Sequence, residues 1–313
     1  LLRSAEDLRR LPVRRHEHAP ACAPEFLSVS SGLGFSIGGQ RHAALGFGCS
    51  RSPERSRDSA LWETYERLLM VAEISGSLGR RVRGTTRSGA TTSSRPFEDI
   101  VPRPWHSTYR PGLDATGLAV HATTPAARLS AERELLERAL LATVWYGTEP
   151  LPSEITDHSC VTRGRMRTYT FGCRLGFFSL AAWHDPDSEI FVIGSAVRES
   201  REQAVEHALS EAVMVYDGVW EGRTPRYHTS LSRGRYESLR GDLHTTRARH
   251  LATRLVGGGR PSAGSEPLGD EITLYQLVEW EGVSLVRAVA PEGANTLKAR
   301  RRQGRAVPPD PFT

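Results

Sequence analysis

Lysine is nearly missing from this chain. Lys298 is the only one among 41 basic residues, so a net charge of +5 is carried almost entirely by arginine. Arginine with abundant Ala, Gly and Pro reflects a GC-rich coding sequence as readily as it reflects a ligand. The arginines are scattered, with short runs at Arg80–Arg81 and Arg300–Arg302. No basic strand interleaved with aromatics accompanies them, which argues against nucleic acid as the partner. A peptide or a phosphate-bearing molecule suits the charge as well as a solvated surface does. Cys22, Cys49, Cys160 and Cys173 form no CxxC and no metal spacing. They read as reduced thiols of a cytoplasmic protein. No apolar run reaches the roughly 18 residues of a membrane span, and no secretory signal is visible. HExxH and GxxxxGK[ST] are absent, which excludes the zincin and P-loop signatures. The eleven histidines are scattered without metal spacing.

What is present is enough chain for a large core, in one or two domains by length alone. Residues 1–24 are charged and Pro-rich and read as a poorly determined lead-in. Strands are expected at FLSVS, GLGFSI and HAALGFG, with Gly38-Gly39 as a turn. A helix is expected from about Ser56 to Ile74. Residues 75–116, rich in Gly, Ser, Thr, Arg and Pro, read as an exposed or mobile loop. GLAVHAT reads as a short strand. The second helix is expected from an N-cap at Ser130 to about Trp145. Strands follow near 167–184 and 189–197. The third helix starts at Ser200, where Ser200 and Gln203 form a capping-box signature. Residues 257–268 read as a flexible connection, and strands at 272–279 and 283–290 close the pattern. The helices do not share one repeat length, so the chain is no solenoid. The expectation is an α+β fold with antiparallel strands, in a single domain from residue 25 to 313.

Two of these helices carry paired glutamates at i, i+3, so each pair projects from one helical face. The first is Glu63 and Glu66, followed by Arg67. The second is Glu134 and Glu137, followed by Arg138. On spacing alone the simpler reading is a solvated face, with Glu63 and Arg67 placed for an i, i+4 ion pair. Two features favour chemistry. Both pairs lie in apolar surroundings, LWETYERLLM and ELLERALL. Gly46-x-Gly48 also sits at a strand end just before the first pair, where glycines let backbone N–H groups approach a phosphate. Four carboxylates aimed into one space need a cation, and hard divalent ions such as Mg²⁺ take oxygen ligands and bridge to phosphates.

The residues as an ordered set resemble the YcaO-domain proteins, ATP-dependent enzymes that activate peptide amide bonds. Gly46-Phe47-Gly48 followed by Ala60-Leu61-Trp62-Glu63-Thr64-Tyr65-Glu66-Arg67 resembles the first family motif. Gly117-Leu118-Ala119 leading to Glu134-Leu135-Leu136-Glu137-Arg138 resembles the second. Gly194-Ser195-Ala196 leading to Ala208-Leu209-Ser210-Glu211-Ala212 resembles the third. LVRAVAPEG resembles a later strand, and PPDPF resembles the Pro-rich C-terminus. The matches run in the family's order from about residue 30 to the end.

The resemblance implies a YcaO-like domain whose antiparallel sheets pack with the glutamate-bearing helices. It implies ATP and Mg²⁺ as cofactors. Glu63, Glu66, Glu134 and Glu137 would be metal ligands. Gly46, Gly48, Arg138, His207 and Glu211 would contact the nucleotide. The extended tail with Pro309 and Pro311 would reach the catalytic centre. The implied reaction is cyclodehydration of Cys, Ser or Thr to azolines in a precursor peptide, or the related formation of thioamides or amidines. A leader-peptide-binding partner protein in trans is expected, because no separate binding domain is visible before residue 25. A homodimer is also implied. The chain departs from the family pattern at Phe47, Ala139, His207, Met214 and the sequence PEG. His207 and Met214 motivate the alternative, a degenerate non-catalytic subunit that docks a partner enzyme or a substrate peptide.

Overall fold

The charged start of the chain is part of the fold rather than a lead-in to it. In a computed structural model, which describes residues 3–37, 39–76, 80–92, 94–100, 116–146, 154–185, 190–219 and 272–290, it forms helix α1 (Ala5–Arg9) and strand β1 (Arg14–His18). Ser4 caps α1 by accepting from the Asp7 N–H, and the Asp7 carboxylate accepts from the Ser4 N–H in return. Leu8 is buried beside Leu68, Leu69 and Tyr275. His18 Nε2 lies 2.6 Å from the buried Asp217, and Cys22 and Ala23 enter the core. The expectation failed because one buried leucine in a short helix leaves no periodic signal.

Strands β2 (Leu27–Ile37) and β3 (Gln40–Ser50) form a hairpin that continues from β1 as an antiparallel sheet, with β3 at its edge. The expected strands FLSVS and GLGFSI are one strand. Helix α2 (Pro53–Gly76) follows. Ser52 Oγ accepts from the Arg55 N–H, and Pro53 occupies the first helical position, where its missing N–H costs nothing.

Part of the expected loop at 75–116 is structured. Short strands β4 (Arg81–Val82), β5 (Gly84–Thr86) and β6 (Arg95–Pro96) precede a 3₁₀ turn at Phe97–Asp99. Val82, Phe97 and Ile100 are buried against α2. Strands of two or three residues are defined by their partners, so their composition still reads as loop.

Strand β7 (Leu118–His121) leads into helix α3 (Thr124–Tyr146). Thr123 Oγ1 accepts from the Ala126 N–H, and Pro125 lies in the first turn, so the helix starts well before Ser130. Strands β8 (Glu154–His158), β9 (Arg165–Cys173), β10 (Gly176–Asp185) and β11 (Ile190–Arg198) form a second antiparallel sheet in which β11 is an edge. Helix α4 (Arg201–Val219) begins where expected, with Ser200 Oγ accepting from the Gln203 N–H. Strands β12 (Thr273–Trp280) and β13 (Val283–Val289) complete a third sheet, ordered β5-β12-β13-β7.

The architecture is α+β, and the paired strands are antiparallel. Each long helix packs on the edge strand that precedes it and also on a neighbouring sheet: α2 on β3 and β7, α3 on β7 and β11, α4 on β11 and β3. That closed cycle positions the helix faces described next. Among the described residues, no helix is long and apolar enough to cross a membrane. Residues 257–268, PEG and the tail with Pro309 and Pro311 lie outside the described residues.

Candidate functional site

Glu63, Glu134 and Glu211 each fall seventeen residues after a glycine, Gly46, Gly117 and Gly194. Fourteen residues after the same glycines stand Ala60, Ala131 and Ala208, all fully buried. The repeat is therefore one of strand-to-helix register. Differing helix lengths hide it from a search for a common period, but it was available in the sequence.

The glycines in β3 and β11 serve the packing of strand on helix. A Cβ on Gly46 would lie 2.0 Å from the Ala60 carbonyl oxygen, and one on Gly194 would lie 2.2 Å from that of Ala208. Gly48 is equally closed, against the Ser56 carbonyl at 2.1 Å. This corrects the phosphate-approach role expected for Gly46 and Gly48. The space a side chain would take is filled by helix backbone.

That close approach brings the first glutamate of the helix onto the open edge of the sheet. Glu63 Oε2 accepts from the Phe47 N–H at 2.8 Å. Glu211 Oε2 accepts from the Ser195 N–H at 2.7 Å. Both amides belong to edge strands and need an acceptor from outside the sheet. In each case one carboxylate oxygen is held by backbone while the other faces an arginine. Glu63 Oε1 lies 3.4 Å from Arg67 Nη2, and Glu211 Oε1 lies 3.9 Å from Arg138 Nη2.

The second glutamates link the helices. Glu137, only 6% exposed, accepts from Ser195 Oγ at 2.9 Å, tying α3 to β11. Glu66 lies 3.9 Å from Arg67. Burial pushes the Glu66 carboxyl up to about 8; the negative charges of Glu134 and Glu63 add to this, while Arg67 and Arg287 oppose it. Burial raises Glu134 to about 7, with Glu137 adding and Arg138, Arg287 and Arg67 opposing. Burial raises Glu211 to about 8, with Glu137 adding and Arg138 opposing. Glu66 and Glu211 thus each feel a carboxylate of α3, and Glu134 feels Glu137 on its own helix. The expected glutamates of α2, α3 and α4 form one chain of interacting groups.

The structure adds residues that the sequence reading missed. Ser195 supplies both a backbone and a side-chain donor to the cluster. Arg287 on β13, only 3% exposed, acts on both Glu66 and Glu134. Ser195 lies in Gly194-Ser195-Ala196 and Arg287 in LVRAVAPEG, but neither segment showed a role for its polar side chain, because sheet pairing is what brings them to the cluster. His207 presents its ring at the surface beside Arg198, with Nδ1 3.3 Å from Arg198 Nη2. Packing around the ring and the Arg198 and Arg55 guanidiniums push its pKa down to about 3. The exposed face of the ring makes the two guanidiniums the better-founded cause.

Arranged this way, the cluster can hold charge. Half-buried carboxylates with raised pKa values are a donor set that a hard cation would ionise and neutralise. Among the described residues, no three His, Cys, Asp or Glu side chains are close enough together to hold a metal by themselves. A cation here would draw its remaining ligands from elsewhere, as Mg²⁺ does from phosphates and water.

No protein-family model matches the sequence, and no curated protein matches it. Solved structures do match. YcaO from Methanopyrus kandleri bound with AMPPCP and Mg²⁺ superposes with a TM-score of 0.61 at 15% identity, over 98% of this chain and 92% of that one. The chain has a YcaO-like fold. The E. coli microcin synthetase McbBCD complex matches with a TM-score of 0.59 at 13% identity, over 89% of this chain and 87% of that one. A heterocyclase in complex with substrate and cofactor matches with a TM-score of 0.55 at 14% identity, over 91% of this chain but 50% of that one.

Proposed function

We propose that this YcaO-like chain is an ATP- and Mg²⁺-dependent enzyme that activates a backbone amide of a peptide, with azoline formation from Cys, Ser or Thr as its reaction. The observation that carries the reading is the chain of half-buried carboxylates around the buried Glu137, spanning α2, α3 and α4, with raised pKa values at Glu66, Glu134 and Glu211. Such a cluster is costly to bury unless a cation neutralises it. The M. kandleri YcaO structure, bound with AMPPCP and Mg²⁺, supports the choice of ligand.

Glu63, Glu66, Glu134 and Glu137 would be the metal ligands, no more than two of them to one ion, with phosphate and water oxygens completing its shell. Glu211 and Arg138 would face the nucleotide. A bound Mg²⁺ would neutralise the carboxylates and the triphosphate together. Phe47 N–H and Ser195 N–H fix one oxygen each of Glu63 and Glu211, leaving the other toward Arg67 and Arg138, loosely enough held for a ligand to share. Ser195 Oγ and the buried Arg287 keep the second layer in place. In the reaction, a substrate hydroxyl or thiol attacks the preceding amide carbon. That attack closes the ring as the nucleophile gives up its proton; the resulting oxyanion takes the γ-phosphoryl group of ATP, releasing ADP, and phosphate then departs as the amide nitrogen loses its proton and the C=N bond of the azoline forms. The amide oxygen leaves in the phosphate. A precursor peptide is the substrate, with a leader-binding partner in trans. The McbBCD complex and the substrate-bound heterocyclase support that arrangement. We also propose a homodimer, a cytoplasmic location, a single domain that takes in α1 and β1 along with residues 25–313, and a catalytic role for Pro309 and Pro311.

A second reading has its own observation. Met214 stands where α2 and α3 carry Glu66 and Glu137, so the third repeat lacks a carboxylate. That favours a docking subunit without turnover. Calorimetry with ATP·Mg²⁺ on the folded chain separates the two readings. Binding followed by peptide-dependent phosphate release supports the enzyme, and an intact fold with no binding sinks it.

A further inference from the structure

Beside Glu211 lies a group of cations that the carboxylates do not neutralise. Arg133 comes from α3, and its side chain is 17% exposed. Its Nε is buried without an acceptor among the described residues. Its ion pair with Glu199 is 3.9 Å long and reaches a carboxylate that is itself 83% exposed, so little charge is cancelled. Arg198 ends β11. Its Nη1 donates to the Val197 carbonyl at 2.7 Å, and its Nη2 lies 3.3 Å from His207 Nδ1. Arg133 reaches Glu199, the residue after Arg198, at 3.9 Å, and Arg198 reaches His207 at 3.3 Å, so the three side chains border one space; after burial, the charge of Arg198 is what most disfavours the charged forms of the other two. Arg55, near the start of α2, adds to the same field.

Like charges gathered in a partly desolvated space repel unless an anion joins them. A guanidinium does not give up its proton, so the imidazole is the group that gives way. A neutral His207 has a lone pair to offer. At 3.3 Å its Nδ1 accepts from Arg198 and fixes the direction of that guanidinium fork.

We propose that Arg133 and Arg198 form a clamp for the terminal phosphates of a polyphosphate ligand, with His207 as a positioning residue that orients Arg198. The inference rests on the nucleotide reading above and extends it to residues outside the glutamate motifs. Guanidinium forks match pairs of phosphate oxygens, and two of them from different elements suit a di- or triphosphate better than a single phosphate. His207 stands one turn before Glu211 on α4, so the clamp adjoins the glutamate that would face the nucleotide.

The test is calorimetry on the full chain with two probes, inorganic tripolyphosphate without metal and ATP with Mg²⁺. Tripolyphosphate is expected to bind the wild type and to bind Arg198→Ala about tenfold or more weakly. Arg198→Lys and Arg133→Lys keep the charge but lose the fork, and both are expected to show intermediate losses. These two variants keep the test open if Arg198→Ala does not fold. His207→Ala should weaken binding severalfold, and His207→Gln, which restores an acceptor, should recover it. The loss in Arg198→Ala should grow from AMP to ADP to ATP, because only the outer phosphates meet the clamp. Equal tripolyphosphate affinity in wild type and both Arg198 variants overturns the clamp, as does no tripolyphosphate binding to the wild type. A uniform loss across AMP, ADP and ATP assigns Arg198 a structural role and also overturns it. Tripolyphosphate binding in a protein that ignores ATP·Mg²⁺ would sink the nucleotide reading and leave the clamp standing.

Discussion

The β3–α2 and β11–α4 units are built alike and armed differently. In both, a glycine lets the helix backbone meet the strand, and the glutamate seventeen residues on accepts the next residue's edge amide, at 2.8 Å and 2.7 Å. Three residues further, α2 has Glu66 and α4 has Met214. The shared part is scaffold, held by sterics and by one obligatory hydrogen bond. The differing part has no structural duty to constrain it, so that is where two units of one design diverge in chemistry.

The comparison can be broken at several depths. The largest effect is expected at Glu134, on α3 between the two units. Glu134→Gln should abolish nucleotide hydrolysis while leaving the melting temperature near wild type, read by phosphate release and thermal melts. A large stability loss would instead make Glu134 a structural ion-pair partner. Next come the glycines. Gly46→Val and Gly194→Val should each cost about 3 kcal/mol in urea unfolding, because the added atoms meet helix carbonyls at 2.0 and 2.2 Å. Gly34→Val, with nothing within 4 Å, is the control and should change little. Unequal losses at Gly46 and Gly194 would show that the two units are not packed alike.

A pH series sharpens the comparison further. Glu66 and Glu211 are raised to about 8 and Glu134 to about 7, from an ordinary value of 4.5. Between these limits the folded state holds more protons than the unfolded one, so stability falls as pH rises. In metal-free protein the melting temperature should therefore be highest near pH 5 and decline through pH 7 to 8. Mg²⁺ with nucleotide favours the ionised carboxylates, so its affinity should rise over the same interval. A flat melting profile would mean that the carboxylates are already neutralised within the fold. The smallest effect is expected for Ser195→Ala, which removes one donor from the buried Glu137 at a cost of about 1 kcal/mol. It should leave the Ser195 N–H bond to Glu211 intact, visible as an unchanged amide resonance.

Much of this was legible beforehand. The strands at 273–280 and 283–289 and the cap at Ser200 carry local signals, alternation and an oxygen three residues before an N–H, that need no partner to be read. The start of α3 was misplaced because Ser130 offered the same chemistry as Thr123 in a less favourable setting. Leu8, Val82, Phe97 and Ile100 looked like surface because each is a lone apolar residue in a polar stretch, and burial there depends on what α2 presents.

The sequence by itself determined the three glycine-to-glutamate registers, the helices that carry them and the near-absence of lysine. These follow from local spacing, which a chain carries with it into any fold. Only the tertiary structure decided that the glutamates meet in a line, that Ser195 and Arg287 join them, and that Gly46 and Gly48 serve packing. Those outcomes depend on which sheet edge faces which helix, and electrostatic coupling falls with distances that no linear spacing contains.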